Sequence, residues 1–390
     1  MLSNFKNHLP HYFTTHPNRE VTEVYWFTII SNLALSMVFI FEPVYLYTLG
    51  YDFTKIMEFF LMVYIWYAAL VVFGAKFASH YGYKHAIFLS NIFFVMYWFG
   101  LYFIKANSLL FYVTPIFFAL QKSWFWPAFN ADIAVNAKRS QRGREIGVLT
   151  ALVQVAFIGG PLLGGVISER FGFSSLFIAA GALVLLSSYP LFSSPDIYAK
   201  REFTFKRLWQ VCRKYFRNFF GYWGFAEDLM LMSLWPIYMY IVVRDFESLG
   251  LISTIATIVG TVIMLYVGMI IDRQGGRHRI ILESSVFYAM TWVLRFLASG
   301  VALVLGFDIL TKAAKNVLNV PMNSLTYENA AVDGESGLAY SVFFEFSLAI
   351  GKIVTALASI AILAYTNNIF LVFAFVGILT MFYGLLRKHA

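Results

Sequence analysis

The sequence predicts an all-α membrane protein: twelve transmembrane helices arranged as two six-helix pseudo-symmetric bundles. Three observations carry that expectation. The chain is 60% hydrophobic and 13% charged, with a mean hydropathy of +0.69. A soluble fold of 390 residues must keep a wet surface and cannot hide so much apolar area. The apolar residues gather in runs able to cross about 30 Å of hydrocarbon, which takes roughly 20 helical residues. Finally, residues of the first half recur in the second at one constant offset of 193. Pro43 falls on Pro236, Tyr45 on Tyr238, Tyr47 on Tyr240, Gly82 on Gly275, Lys84 on Arg277 and His85 on His278.

The expected spans of the first half are Tyr25–Leu49, Lys55–Ser79, Lys84–Ile104, Leu109–Asn136, Ile146–Ser168 and Leu176–Leu191. Those of the second are Asn218–Val243, Leu249–Ile271, Ile280–Ala298, Val301–Ala331, Leu338–Ala364 and Ile369–Leu386. Runs of this length favour helices over barrel strands, which alternate over short segments. The ninth and tenth spans divide near Gly300. The domains follow: an N-terminal bundle over 1–193, a basic linker over 194–217 and a C-terminal bundle over 218–390.

Lys and Arg set the orientation. With the N-terminus cytoplasmic, 20 of the 29 fall in inner loops and termini, 4 in outer loops (Lys55, Lys105, Arg170, Arg244) and 5 within spans. Both termini are therefore expected inside, in a bacterial cytoplasmic membrane. The formal charge of +8 reads as this topology, not as nucleic-acid binding, because the bases sit in short loops between apolar runs. The linker segment 203–220 alternates Phe205, Leu208, Trp209, Tyr215, Phe216 and Phe219 with Lys206, Arg207, Arg213 and Lys214. It suits a helix lying on the inner leaflet, or a basic loop entering span seven.

Several chemistries find no residues here. Cys212 is the single cysteine, so no intramolecular disulfide or thiolate cluster forms. The stretch 1–19 is polar and lacks the apolar core of a cleavable signal peptide. There is no Walker loop for ATP and no zinc-ligand spacing; His8, His11 and His16 lie in the N-terminal tail. No enzyme activity, cofactor or metal is expected.

The loop after span eight carries Gly268, Asp272, Arg273, Gly275 and Arg277. Gly268 permits close helix contact, Gly275 a tight turn, and Asp272 can pair with Arg273 or Arg277 or accept bonds at a helix N-terminus. The pattern resembles the loop motif of the major facilitator superfamily, Gly-x-x-x-Asp-Arg-x-Gly-x-Arg-Arg. The first-half copy is degraded: Ser79 stands where Asp is expected and His80 where Arg is, while Gly82 and Lys84 remain. That departure argues for a gate that is charged in one half only. Span five carries Ala156, Gly160, Pro161, Gly164 and Gly165. This is similar to the span-five motif of the superfamily's antiporters, with Ala156 replacing the first Gly; such residues bend a helix or let it pack closely. Span four ends Trp124-Phe-Trp126-Pro127 before a basic Arg142-Gly143-Arg144 turn, which is similar to the drug-exporter branch. The Arg that branch carries earlier in the span is absent, and Lys122 is the only base there.

The resemblance implies that spans 1, 4, 7 and 10 line a central cavity. An ionisable group in a span is then a functional candidate, because its burial is costly unless it is paired or hydrated. The candidates for substrate binding or coupling are Glu42, Lys122, Trp124, Trp126, Glu227, Asp228, Lys315 and Glu345. Glu42 is alternatively an outer-end residue touching water. Glu227 and Asp228 point about 100° apart on an α-helix, so at most one is expected to face the cavity. Asp308 and Lys312, four apart, are expected to pair with each other. Arg295, on the outer ring, is expected in a structural ion pair or snorkelling to the interface. Glu345 lies among Phe343, Phe344 and Phe346, a setting that suits proton uptake and release, or alternatively a buried pair with Lys122, Lys315 or Lys352. Most of the aromatic residues, 19% of the chain, are expected to face lipid or the interfaces.

The functional expectation is a monomeric secondary transporter that works by alternating access, with a small-molecule substrate, protons and membrane lipids as partners. Proton-coupled export of a small amphipathic solute leads, on the span-five motif and the aromatic cavity. Uptake of a nutrient or organic anion is the alternative, on Lys122 and Lys315. A lipid flippase or a non-transporting membrane receptor is the alternative of another class.

Overall fold

A computed structural model of the chain describes residues 19–136, 142–196, 203–274, 277–332 and 337–387. Every regular element among them is helical. Eight stretches are long and apolar enough to cross a membrane by length and composition. One of these, Ala151–Leu191, lies in a segment that turns back at Gly172 (φ 78°, ψ 167°) and holds spans 5 and 6. Leu110–Asn136 and Val301–Val332 have the length but carry more polar residues, and Ile369–Leu385 is a shorter apolar helix. These make twelve spans in two bundles of six. The two polar spans, 4 and 10, occupy equivalent places in the halves, so polarity is concentrated where the repeat plan puts a cavity.

Span 1 comprises Arg19–Val38 and Phe41–Thr48, and span 7 comprises Phe216–Gly221, the 3₁₀ segment Tyr222–Glu227, Asp228–Leu231 and Leu234–Val243. Both are broken, and at equivalent positions. The final helix of each begins two residues before a proline, Pro43 or Pro236. Proline lacks the N–H that would continue the preceding helix, so the ladder is interrupted there. Residues 39–40 and 232–233, which fill the two breaks, are themselves 193 apart. The 3₁₀ stretch in span 7 has no counterpart in span 1.

The remaining spans are Phe53–Tyr81 (2), Tyr83–Phe103 (3), Phe246–Gln274 (8), Arg277–Val293 with the 3₁₀ turn Leu294–Leu297 (9), Gly337–Thr366 (11) and Ile369–Thr380 with Met381–Leu385 (12). Asp52 caps span 2 by accepting from the Lys55 N–H at 2.7 Å, and Asn368 caps span 12 in the same way through the Phe370 N–H. Gly82 (φ 108°) makes the tight reversal between spans 2 and 3. Its repeat mate Gly275 lies outside the described residues, as do the side chains of Asp272, Arg273 and Arg277, and the surroundings of Gly268.

The most extensive contacts between the halves are span 2 against span 11 and span 5 against span 8, with span 4 also touching span 11. The span-five motif builds the second pair and also seats span 1. A Cβ on Gly160 would collide with Ser36 and Met37, and one on Gly164 with Met37 and Phe41. One on Gly165 would meet Phe246, and Gly250 of span 8 packs against the Pro161 carbonyl. Helical dihedrals continue through Pro161, and Gly172 is the single non-helical residue of the segment. Of the two roles the sequence offered the motif, bending or close packing, these contacts are of the packing kind.

The bundle has two distinct ends. At the end holding the linker, hereafter the linker side, the Lys84 ammonium meets Glu23 at 3.0 Å and the Ser194 hydroxyl at 2.8 Å. The Lys84 N–H donates to Asp196, which also sits 3.1 Å from His85. Across the linker, Asn218 exchanges two hydrogen bonds with the backbone of Arg387. At the far side, Phe41–Thr48 touches Leu234–Val243, and the Phe246 N–H donates to Glu169 at 2.9 Å.

Candidate functional site

The site forms halfway along the spans, where spans 2, 4, 7, 10 and 11 converge. Span 7 supplies Glu227 and Asp228 at the junction of its 3₁₀ and α segments. The Lys315 ammonium of span 10 meets Asp228 Oδ1 at 2.5 Å and Glu227 Oε1 at 3.4 Å. Lys352 of span 11 meets the other oxygen, Asp228 Oδ2, at 3.0 Å and donates to the Tyr64 hydroxyl of span 2 at 3.3 Å. Glu227 also accepts from Tyr288 at 3.1 Å. Two carboxylates and two ammoniums thus form one compact network of zero net charge, with Phe225 within 4.8 Å of the Lys315 ammonium.

This corrects the expectation that one of Glu227 and Asp228 would point away. That expectation used the angular step of an α-helix. A 3₁₀ segment ending at Glu227 changes the step and the direction of the chain, so both carboxylates reach the same ammonium.

Glu345 of span 11 is buried, and Tyr67 of span 2 donates to its Oε2 at 2.8 Å. It has no ion-pair partner among the described residues, so the alternative of a buried pair with Lys122, Lys315 or Lys352 is not made. Lys122 of span 4 likewise has no carboxylate within ion-pair distance among the described residues. Its ammonium lies 4.3 Å from the centroid of Phe118 and within electrostatic reach of Glu42, Glu345, Asp228 and Lys352.

Trp126 lies one turn from Lys122 on the same face of span 4, is 36% exposed, and edges onto Phe125 and Phe129. Trp124 is not part of the site. Two residues on a helix rotate its side chain by about 200° from Lys122, and its ring packs on Phe77 of span 2 and Phe93 of span 3. Glu42 is fully enclosed rather than wetted at an outer end: Trp98 Nε1 donates to it at 2.7 Å and the Tyr97 hydroxyl at 3.1 Å, both from span 3.

Asp308 and Lys312 pair as expected, at 2.9 Å, and Lys312 also donates to Ser253 of span 8. Arg295 does not snorkel, and it has no ion-pair partner among the described residues. Its buried guanidinium is stacked between Trp292, 3.4 Å from the ring centroid, and Trp235, at 3.9 Å, and it donates to Thr311 at 3.0 Å. Sequence reasoning missed Tyr64 and Tyr67 and did not place Lys352 in the site. The signal was two tyrosines three apart in the middle of an apolar span, one turn of span 2 facing span 11.

The match to known families is decisive for kind. The model of the Major Facilitator Superfamily matches residues 24–242. The chain belongs to the Major Facilitator Superfamily. Its structure is similar to that of the human organic anion transporter MFSD10 (TETRAN), at 12% identity and a TM-score of 0.63, covering 95% of this chain and 100% of that one. It is also similar to that of the nucleoside transporter NupG, at 15% identity and a TM-score of 0.69, covering 94% and 99%. At these identities the likeness establishes the shared fold. No curated protein sequence matches the chain. As a superfamily member it is a multi-pass transporter of a small molecule. Its degraded first-half loop motif has a local explanation: the Ser79 hydroxyl donates to the Lys76 carbonyl, while the acids that hold Lys84 and the turn, Glu23 and Asp196, come from span 1 and the segment after span 6.

Proposed function

We propose that this protein is a proton-coupled secondary transporter of a small amphipathic organic anion, in which the bundles 1–193 and 218–390 rock about the central site. The observation that carries the reading is the Lys122 ammonium, which lacks an ion-pair partner among the described residues and sits beside aromatic rings. Lys315 and Lys352 are paired with Asp228 and Glu227, so Lys122 is, among the described residues, the site cation left for a solute. A carboxylate or phosphate on an apolar body would pair with Lys122 and cover the exposed Trp126 ring.

Glu345 supplies the coupling. When ionised, it competes with the solute for the field of Lys122; when protonated, it does not. Proton and anion therefore favour each other's binding, and by reciprocity they travel together. Direction follows the gradient, and an inward gradient gives uptake. Proton-coupled export, suggested by the span-five motif, is the second reading; Gly160, Gly164 and Gly165 serve packing between spans 1, 5 and 8. The protein works as a monomer with its termini in the cytoplasm, on the bias of Lys and Arg; cysteine labelling at Gln274 from the cytoplasmic side and at Asn107 from outside tests that orientation.

The functional test is flux into proteoliposomes with anionic, neutral and cationic amphiphiles, with and without a pH gradient. Accumulation of anions only, driven by protons moving the same way, is expected. Cation flux against the proton gradient would establish antiport instead. A lipid flippase would move labelled phospholipid, and a receptor would bind without flux.

A further inference from the structure

The linker helix Phe205–Lys214 is capped at its start by the Thr204 hydroxyl, which accepts from the Arg207 N–H. It divides into three faces. Val211 is buried against the C-terminal bundle, where the helix packs on span 11. Phe205 and Trp209, one turn apart, are 66% and 72% exposed, and Phe216 just beyond the helix is 64% exposed. Lys206, Arg213 and Arg217 are exposed alongside these rings and have no ion-pair partner among the described residues. Large bare rings bordered by free cations are costly in water and are matched by a phospholipid surface, with rings among the acyl chains and bases at the phosphates. The position agrees: after Lys214 the chain enters span 7 at Phe216, so the helix lies at the level of the membrane surface.

The same helix grips the helices that carry the central site. The Tyr215 hydroxyl donates to the Asn329 carbonyl of span 10 at 3.3 Å, and its ring meets Tyr340 of span 11 edge-on at 5.0 Å. Tyr340 lies five residues from Glu345 on the same helix. We propose that this helix is an anionic-phospholipid site through which the charge of the leaflet controls the position of spans 10 and 11.

The test uses the full-length protein in nanodiscs of phosphatidylcholine alone or mixed with phosphatidylglycerol. On a Cys212→Ser background, a nitroxide at Phe205→Cys should be quenched by oxygen, and one at Gln210→Cys by a water-soluble nickel chelate. Phosphatidylglycerol should slow amide exchange across 204–217 and the linker-side turns of spans 10 and 11 about tenfold. The triple variant Lys206→Gln, Arg213→Gln, Arg217→Gln should lose that protection while matching the parent in phosphatidylcholine. A water-accessible label at position 205, equal exchange in both lipids, or equal protection by inorganic phosphate in lipid-free detergent would each overturn the proposal.

Discussion

Glu345 is held by one donor, the Tyr67 hydroxyl, and by no cation at ion-pair distance among the described residues. A buried carboxyl so lightly held can change protonation without dismantling its surroundings, unlike Asp228, which is clamped by two ammoniums. Glu345→Gln should therefore abolish pH-driven accumulation while leaving solute exchange intact, and Lys122→Ala should weaken solute binding about tenfold or more. Flux with and without a pH gradient separates the two effects; unchanged pH-driven transport in Glu345→Gln would make the carboxylate structural. Asp228→Asn leaves buried Lys352 without its carboxylate and Lys315 with Glu227 alone, and should cost about 3–5 kcal/mol of stability, read as a lower unfolding temperature in detergent. At this scale the sequence was partly legible. Lys122 and Glu345 stood out because charge is rare in spans. Tyr64 and Tyr67 did not, because a phenol in an apolar run looks like any other ring until its hydroxyl finds a partner on another helix.

At the scale of elements, the same Gly-rich stretch of span 5 seats two neighbours at once. Gly164 faces span 1 so closely that a methyl group would strike the Met37 backbone, whereas Gly159 faces open space. Gly164→Ala should lower thermal stability by about 1–3 kcal/mol through overpacking, and Gly159→Ala should be neutral; a scan of unfolding temperature for both variants decides it. Span positions were readable because roughly 20 apolar residues in a row have few alternatives. The internal geometry of spans 1 and 7 was less so. Pro43 and Pro236 marked where each helix is interrupted, but nothing local announced that Tyr222–Glu227 winds as a 3₁₀ segment, and the side-chain directions of Glu227 and Asp228 depend on it.

For the whole molecule, the repeat gives two similar bundles whose loop motifs differ in sequence. The loop after span 8 retains Asp272, whereas the equivalent position in the first half is Ser79, whose hydroxyl donates to the Lys76 carbonyl of its own helix. Asp272→Asn should slow turnover and shift the balance of open states with less change in solute affinity, and Ser79→Ala should do little. Double electron–electron resonance distances across the two ends would show it, and equal shifts for both variants would argue against an asymmetric gate.

The anchoring of the linker has a mechanical consequence. Asp196 is fastened to the N-terminal bundle through Lys84 and His85, and Thr204 caps a helix fastened to the C-terminal bundle. The chain between them is a leash of eight peptide links that can span at most about 28 Å. That length sets the upper limit on how far the two anchors can part without one of them tearing. Removing three residues from 197–202 shortens the leash by about 10 Å. Turnover should fall as the wide-open extreme is clipped, while solute affinity at equilibrium is kept; a deletion variant with undiminished turnover would mean the stroke never draws the leash taut.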